Sequence, residues 1–129
     1  MVPSLWKRQL NQKLNRKTTP EPLQLLAPHS IKNYTVVMTL RFEWDPKKAA
    51  SNEKKHGVSF EEARTVFFDE NAKLIDDPDH SEDEERFVLL GISSTLRVMV
   101  VCHCYREQGN LIRIISARKA STHESKQYR

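Results

Sequence analysis

The chain has 129 residues, room for one domain with a modest core, and with 38% hydrophobic and 29% charged residues it reads as a water-soluble protein. It has no run of roughly 18 apolar residues to cross a membrane, and its basic opening, MVPSLWKRQLNQKLNRKTTP, lacks the continuous apolar stretch of a signal peptide. The net charge of +4 is unevenly spread: residues 1–37 carry six Lys/Arg against one acid, 76–85 carry seven acids and no Lys or Arg, and 95–129 carry seven Lys/Arg against two acids. A basic C-terminal third can attract a polyanion, and a solvated surface is the plain alternative.

Residues 1–37 read as an appendage. Pro3, Pro20, Pro22 and Pro28 interrupt a segment rich in Asn, Gln and Thr, and its apolar periodicity is weak. A short helix around 4–16 fits, and the extension as a whole is expected to be mobile. Clean patterning begins at Met38, which is itself a candidate start. TLRFEW, 39–44, predicts a strand with Leu40, Phe42 and Trp44 on one face. Asp45-Pro46 then opens a helix, with Asp as N-cap and Pro at the first helical position. KKHG closes it near His56, with cations in the last turn and Gly57 in the left-handed position. Ser59 and Glu62 fit the capping box of a second helix, where Phe60, Ala63 and Phe67 recur at helical spacing.

AKLID, 72–76, is the next strand, followed by the acidic connection. ERFVLLGI, 85–92, LRVMVVCHCY, 96–105, and LIRIISA, 111–117, are β-rich and joined by the turn-like SST and EQGN, which predicts an antiparallel meander. Ser121 and Glu124 cap a closing helix. The order β-α-α-β-β-β-β-α gives an α+β fold: a small antiparallel sheet packed on one face with two N-terminal helices and a C-terminal helix.

Gly-rich phosphate loops, HExxH, GxSxG and paired CxxC motifs are all missing. Cys102-His103-Cys104 invites a metal reading, but cysteine and histidine alternate to opposite faces of a strand and no second ligand pair accompanies them. Two reduced thiols in a cytoplasmic protein fit better, and neither a metal nor another cofactor is expected. On the strands, alternation places Arg97, Met99, Val101, His103 and Tyr105 on one face, and Val98, Val100, Cys102 and Cys104 on the other. Ile112, Ile114, Ser116 and Arg118 are expected to share a face, and Arg86 opens the strand before. Clustered arginines suit phosphate, because a guanidinium is a rigid fork of donors that stays charged; pairing with local carboxylates, as of Arg86 with Glu84 or Glu85, is the plain alternative. The first helix of the core, PKKAASNEKKH, is nearly all polar. Lys54, Lys55 and His56 at its end are ordinary C-terminal capping or, more sharply, cations beside a group that titrates near neutrality.

FEWDPKKAASNEKKHGVSFEEA, HSEDEERFVLLGIS and IRIISARKASTHESKQY together resemble the BrnT family of type II toxin–antitoxin toxins, over about 38–129. Trp44-Asp45-Pro46, Asn52 with Lys55-His56-Gly57, Phe60-Glu61-Glu62-Ala63, Glu85-Arg86 and Ile115 to Ala120 fall in the family's order, and Glu124 and Tyr128 also fit. Residues 1–37 have no counterpart in that pattern. The resemblance divides the chain into a basic, flexible extension, 1–37, and a BrnT-like toxin domain, 38–129. It implies a compact relative of the RelE-type ribonucleases: an endoribonuclease that arrests growth in the cytoplasm. It also implies neutralisation by a BrnA-type ribbon–helix–helix antitoxin, in a complex of two chains of each kind that binds operator DNA.

Metal-independent RNA cleavage uses the neighbouring 2′-OH as nucleophile and needs a base, an acid and positive charge on the phosphorane. Arg97 and Arg118 are the expected phosphate stabilisers and Arg86 a supporting one. His56 is the expected acid/base, chosen over His103 and Tyr128. Lys47, Lys55 and Lys119 would guide the RNA backbone and Trp44 stack on a base, unless Trp44 is core packing. A non-catalytic RelE-like subunit of an autoregulatory DNA-binding complex is the alternative, and a topoisomerase-directed relative of ParE type is a third reading.

Overall fold

The computed structural model describes residues 5–15, 40–75, 86–107 and 110–128. Helix α1 spans Leu5–Asn15. Strand β1 is Arg41–Glu43, and helices α2, Pro46–His56, and α3, Phe60–Thr65, follow it. A 3-10 turn, Val66–Phe68, leads into β2, Lys73–Ile75. Strands β3, Phe87–Ile92, β4, Val98–Arg106, and β5, Leu111–Lys119, precede the closing helix α4, Thr122–Tyr128. The acidic segment 76–85 lies outside the described residues.

The helix boundaries follow their caps. Asp45 accepts a hydrogen bond from the Lys47 N–H at 2.9 Å, and Pro46 sits where a missing N–H costs nothing. Gly57 ends α2 at φ 70°, its N–H donating to Glu53 O at 2.8 Å, a conformation that favours glycine because it has no Cβ. Ser59 caps α3 through the Glu62 N–H at 3.1 Å. Ser121 and Glu124 form both arms of a capping box on α4, at 2.9 and 3.1 Å.

Among the described residues the sheet has five strands, in the order β1-β5-β4-β3-β2. Strands β3 to β5 form the expected antiparallel meander, and β2 pairs antiparallel with β3 at its edge. Strand β1 departs from an all-antiparallel sheet: it pairs parallel to β5, with Phe42 opposite Ile112. A parallel partner needs a long crossover, and residues 46–106 supply it. Helices are not confined to one face. Phe60, Ala63 and Phe67, from α3 and the turn after it, join Leu89, Met99, Val101, Ile112, Ile114 and Ala117 in the main core. On the opposite face Val88, Leu90 and Val100 form a smaller cluster under Tyr128 of α4.

The face expected for β5 is corrected by a bulge. Cys102 pairs with Ser116 and His103 with Ile114, so Ile115 is an extra residue in β5. An extra residue reverses the alternation beyond it. Ile112 and Ile114 therefore face the main core, while Ser116 and Arg118, opposite Cys102 and Val100, face the α4 side.

Helix α1 differs from the expectation of a mobile arm over 1–37. Trp6 and Leu10 are 1% and 6% exposed and belong to the main core. Trp6 Nε1 donates to Phe67 O at 3.0 Å, and its ring lies edge-on to Phe67 and stacks on Tyr105. The remainder of the segment, including Met38, lies outside the described residues.

Candidate functional site

Asn52 fixes α2 on the sheet. It is buried, and its Nδ2 donates to Val58 O at 3.0 Å and to Ala117 O at 2.9 Å, while Ala117 N donates to its Oδ1 at 3.1 Å. A primary amide meets two backbone acceptors and one donor, so α2, the loop after it and β5 are locked together. This lock delivers the C-terminal turn of α2, with exposed Lys55 and half-buried His56, to the sheet end where β4 begins and β5 finishes.

Arg97 waits there. Its Nε and Nη2 donate to Glu62 Oε2 at 3.0 Å and Oε1 at 2.5 Å, a two-point fork. Nη2 also reaches Gly57 O at 3.4 Å, which ties the guanidinium to the residue after His56. Ser93 Oγ and Thr95 Oγ1 donate to Glu62 Oε2 at 2.7 and 2.5 Å. These donors, Arg97 foremost, hold the Glu62 carboxyl at about 2, well below its ordinary 4.5, against the opposing effect of burial. Arg97 Nη1 has no hydrogen-bond partner among the described residues. Lys119 is exposed on β5 opposite Met99, two residues along from Arg97.

Arg118 sits at the same end of the sheet on the other face. Its Nη1 and Nη2 grip Glu124 of α4 at 2.8 and 2.9 Å, and that guanidinium, with the Ser121 cap, holds Glu124 at about 2. Nearby Tyr128 donates to Asp69 Oδ2 at 2.6 Å, an oxygen that also accepts from Ile92 N at 2.8 Å. Desolvation first, then the Asp69 carboxylate, pushes the Tyr128 phenol up to about 12, so it stays protonated through the neutral range.

Arg86 is not brought to this rim. It precedes Phe87 at the far end of β3, roughly 20 Å away over six residues of strand. Its Nε is buried without a hydrogen-bond partner among the described residues. Trp44 and Lys47 belong to a third place. Trp44 is half-buried, edge-on to Phe60 at 5.9 Å, so core packing accounts for much of it. It also lines an open cleft of about 650 Å³ along β1 with Phe42, Arg41 and Arg64. Lys47 is exposed in the first turn of α2. The structure thus gathers His56, Lys55, Arg97 and Lys119, sets Arg118 behind them, and disperses Arg86, Trp44 and Lys47.

His103 is fully buried. Its Nδ1 faces Val101 O at 3.0 Å, so it carries the proton, and Nε2 accepts from the Tyr105 hydroxyl at 2.7 Å. Burial lowers its pKa to about 4, which makes it a neutral core residue. Cys102 and His103 do face opposite sides of β4, and among the described residues no group of three His, Cys, Asp or Glu is gathered for a metal.

Glu62, Ser93 and Thr95, which hold Arg97, were not singled out from sequence as members of a site. In sequence Glu62 stands out as a helix cap and as part of a family motif, and its link to Arg97 spans 35 residues.

Residues 44–124, most of the chain, match the family described as the ribonuclease toxin BrnT of type II toxin–antitoxin systems. The chain belongs to the BrnT family. A crystal structure of the Brucella abortus ribonuclease toxin BrnT superposes with a TM-score of 0.50 at 23% identity, covering 65% of this chain and 100% of that one. At that identity the likeness is one of fold, and it agrees with the mixed α+β sheet described above. No curated protein matches the chain. The matched span holds Trp44, the Asn52 lock and the Glu62–Arg97 pair, and α1 and β1 precede it.

Proposed function

We propose that this chain is the toxin of a type II toxin–antitoxin pair, an endoribonuclease that cleaves RNA by attack of the neighbouring 2′-OH without a metal. The observation that supports it most is the rim at the end of α2, where Glu62 fixes Arg97 beside Gly57 with Nη1 left over, next to His56 and Lys119. A fixed guanidinium meets the developing charge of a phosphorane without reorganising. His56 accepts or returns the proton of the reacting hydroxyl, and Lys55 and Lys119 attract the backbone. Arg118, committed to Glu124 on the other face, serves chiefly to anchor α4. The partner in this reading is a BrnA-type ribbon–helix–helix antitoxin that covers the rim, in a cytoplasmic complex of two chains of each kind that binds operator DNA.

The test is end-labelled RNA incubated in EDTA with the toxin freed of its antitoxin, beside Arg97→Ala. Cleavage by the parent alone, leaving cyclic-phosphate ends, supports the proposal, and equal cleavage by both removes Arg97 from the site. One observation favours the alternative, a non-catalytic subunit of a DNA-binding complex: both rim arginines already hold a carboxylate. That reading predicts antitoxin and operator binding with no RNA cleaved and no growth arrest.

A further inference from the structure

At the β2 edge, Gln9 of α1 takes both free backbone groups of Leu74: Leu74 N donates to Gln9 Oε1 at 2.8 Å, and Gln9 Nε2 donates to Leu74 O at 3.4 Å. A side-chain amide here stands in for the backbone of a neighbouring strand. Trp6 seats the helix from inside, with its indole N–H on Phe67 O and its ring on Tyr105, and Leu5 N reaches Glu70 O at 3.4 Å. All of these groups of α1 lie outside the span that matches the family.

We infer that α1 is a built-in cap on a strand-docking edge, and that with the cap undocked this edge pairs with the β2 edge of a second copy of the chain. The geometry of Leu74 points to that occupant. Leu74 is the middle residue of a three-residue strand and turns both N–H and C=O outward. An antiparallel hydrogen-bonded pair exchanges both groups between two facing residues. A two-fold axis at Leu74 therefore satisfies it with the Leu74 of the second copy, a self-complementary contact of the kind symmetric dimers use. The same register sets Lys73 opposite Ile75 of the second copy, so the lysines do not oppose each other. An open edge with a buried apolar flank is the feature native proteins cover to prevent such pairing, and here Trp6 and Gln9 provide the cover in cis.

The test uses the full chain and two variants altered only in α1. Trp6→Ala with Gln9→Ala removes the contacts. Asn11→Pro breaks the helix in its middle, at an exposed position, and leaves Trp6, Gln9 and Leu10 unsubstituted. Mass is measured by analytical ultracentrifugation over a concentration series, and amide exchange is followed at Leu74. The expected result is a doubling of the parent's mass in both variants, with Leu74 protection that falls on dilution below the dimer's dissociation constant. An unchanged mass with Leu74 exchanging freely overturns the inference, and so does association that leaves Leu74 unprotected. Unchanged protection at all concentrations in both variants also overturns it, because α1 would then not be the cap. If the double variant does not fold, Asn11→Pro decides alone.

Discussion

Glu62 grips Arg97 with both carboxylate oxygens, across 35 residues of sequence, and a second fork of the same kind joins Glu124 to Arg118. The two pairs clamp α3 and α4 to the same end of the sheet from opposite faces. Both carboxyls have folded pKa values of about 2 against an ordinary 4.5. A carboxyl with a depressed folded pKa stabilises the fold fully above its unfolded value, and that contribution is lost as pH falls through the folded one. The urea midpoint of the parent should therefore drop between pH 4.5 and about 2. Glu62→Gln with Glu124→Gln should flatten that drop, while lowering stability at neutral pH by about 1–3 kcal/mol for each charged pair lost.

His103 gives a second window at higher pH. Its folded pKa of about 4 lies below the ordinary 6.5 because burial disfavours the imidazolium. Above 6.5 both states are neutral and the group adds no pH dependence. As pH falls from 6.5 towards 4 the unfolded chain takes up a proton that the folded chain refuses, so stability declines. His103→Gln should be less stable overall by about 1–3 kcal/mol, from partners left unsatisfied at Val101 and Tyr105. Its unfolding midpoint should nevertheless lose this part of the pH slope. A variant with the parent's slope would assign the proton uptake to another group.

Gly91 and Gly57 should both resist alanine, for unlike reasons. A Cβ on Gly91 would stand 2.7 Å from Ala72 Cβ and 2.8 Å from Val66 Cγ1, where β3 runs against the segment after α3. That is overpacking, at about 1–3 kcal/mol. A Cβ on Gly57 meets nothing within 4 Å, but the residue sits at φ +70°, a conformation costing an L-residue about 1–2 kcal/mol. Asparagine separates the two, because it tolerates the left-handed region and is larger than alanine. Thermal unfolding should rank Gly57→Asn above Gly57→Ala, and Gly91→Asn below Gly91→Ala.

Much of this architecture is written locally. The caps at Asp45, Ser59 and Ser121 and the alternation along β4 depend on neighbours a few residues apart, and each formed as read. The bulge at Ile115 was invisible because Leu111 to Ala117 is apolar almost throughout, so alternation carries no mark of an extra residue. That one residue decides which side of the sheet Arg118 serves. The docking of α1 was hidden for the opposite reason: its few apolar residues, Trp6 and Leu10 among them, stand among many polar ones and do not say what they pack against. Arg97 could be picked out as an arginine needing a partner, but nothing near it in sequence names Glu62.

The division of labour between Arg97 and Arg118 carries the last prediction. Arg97 lies beside the end of α2 and keeps Nη1 unbonded among the described residues, whereas Arg118 lies across the sheet with its fork closed on α4. Removing one well-placed charge-stabilising donor costs about 10² to 10³ in rate. Arg97→Ala should therefore lower single-turnover RNA cleavage by about that factor, and Arg97→Lys should recover part of it, since charge is restored without the planar fork. Arg118→Ala should lower the unfolding midpoint through loss of the Glu124 pair yet leave cleavage within about threefold of the parent, well short of the loss expected for a catalytic donor. The reverse pattern, with Arg118→Ala inactive and Arg97→Ala active, would move the reacting phosphate to the α4 face, beside Tyr128. Because its phenol stays protonated to about pH 12, Tyr128 would serve there as the acid and not as the base.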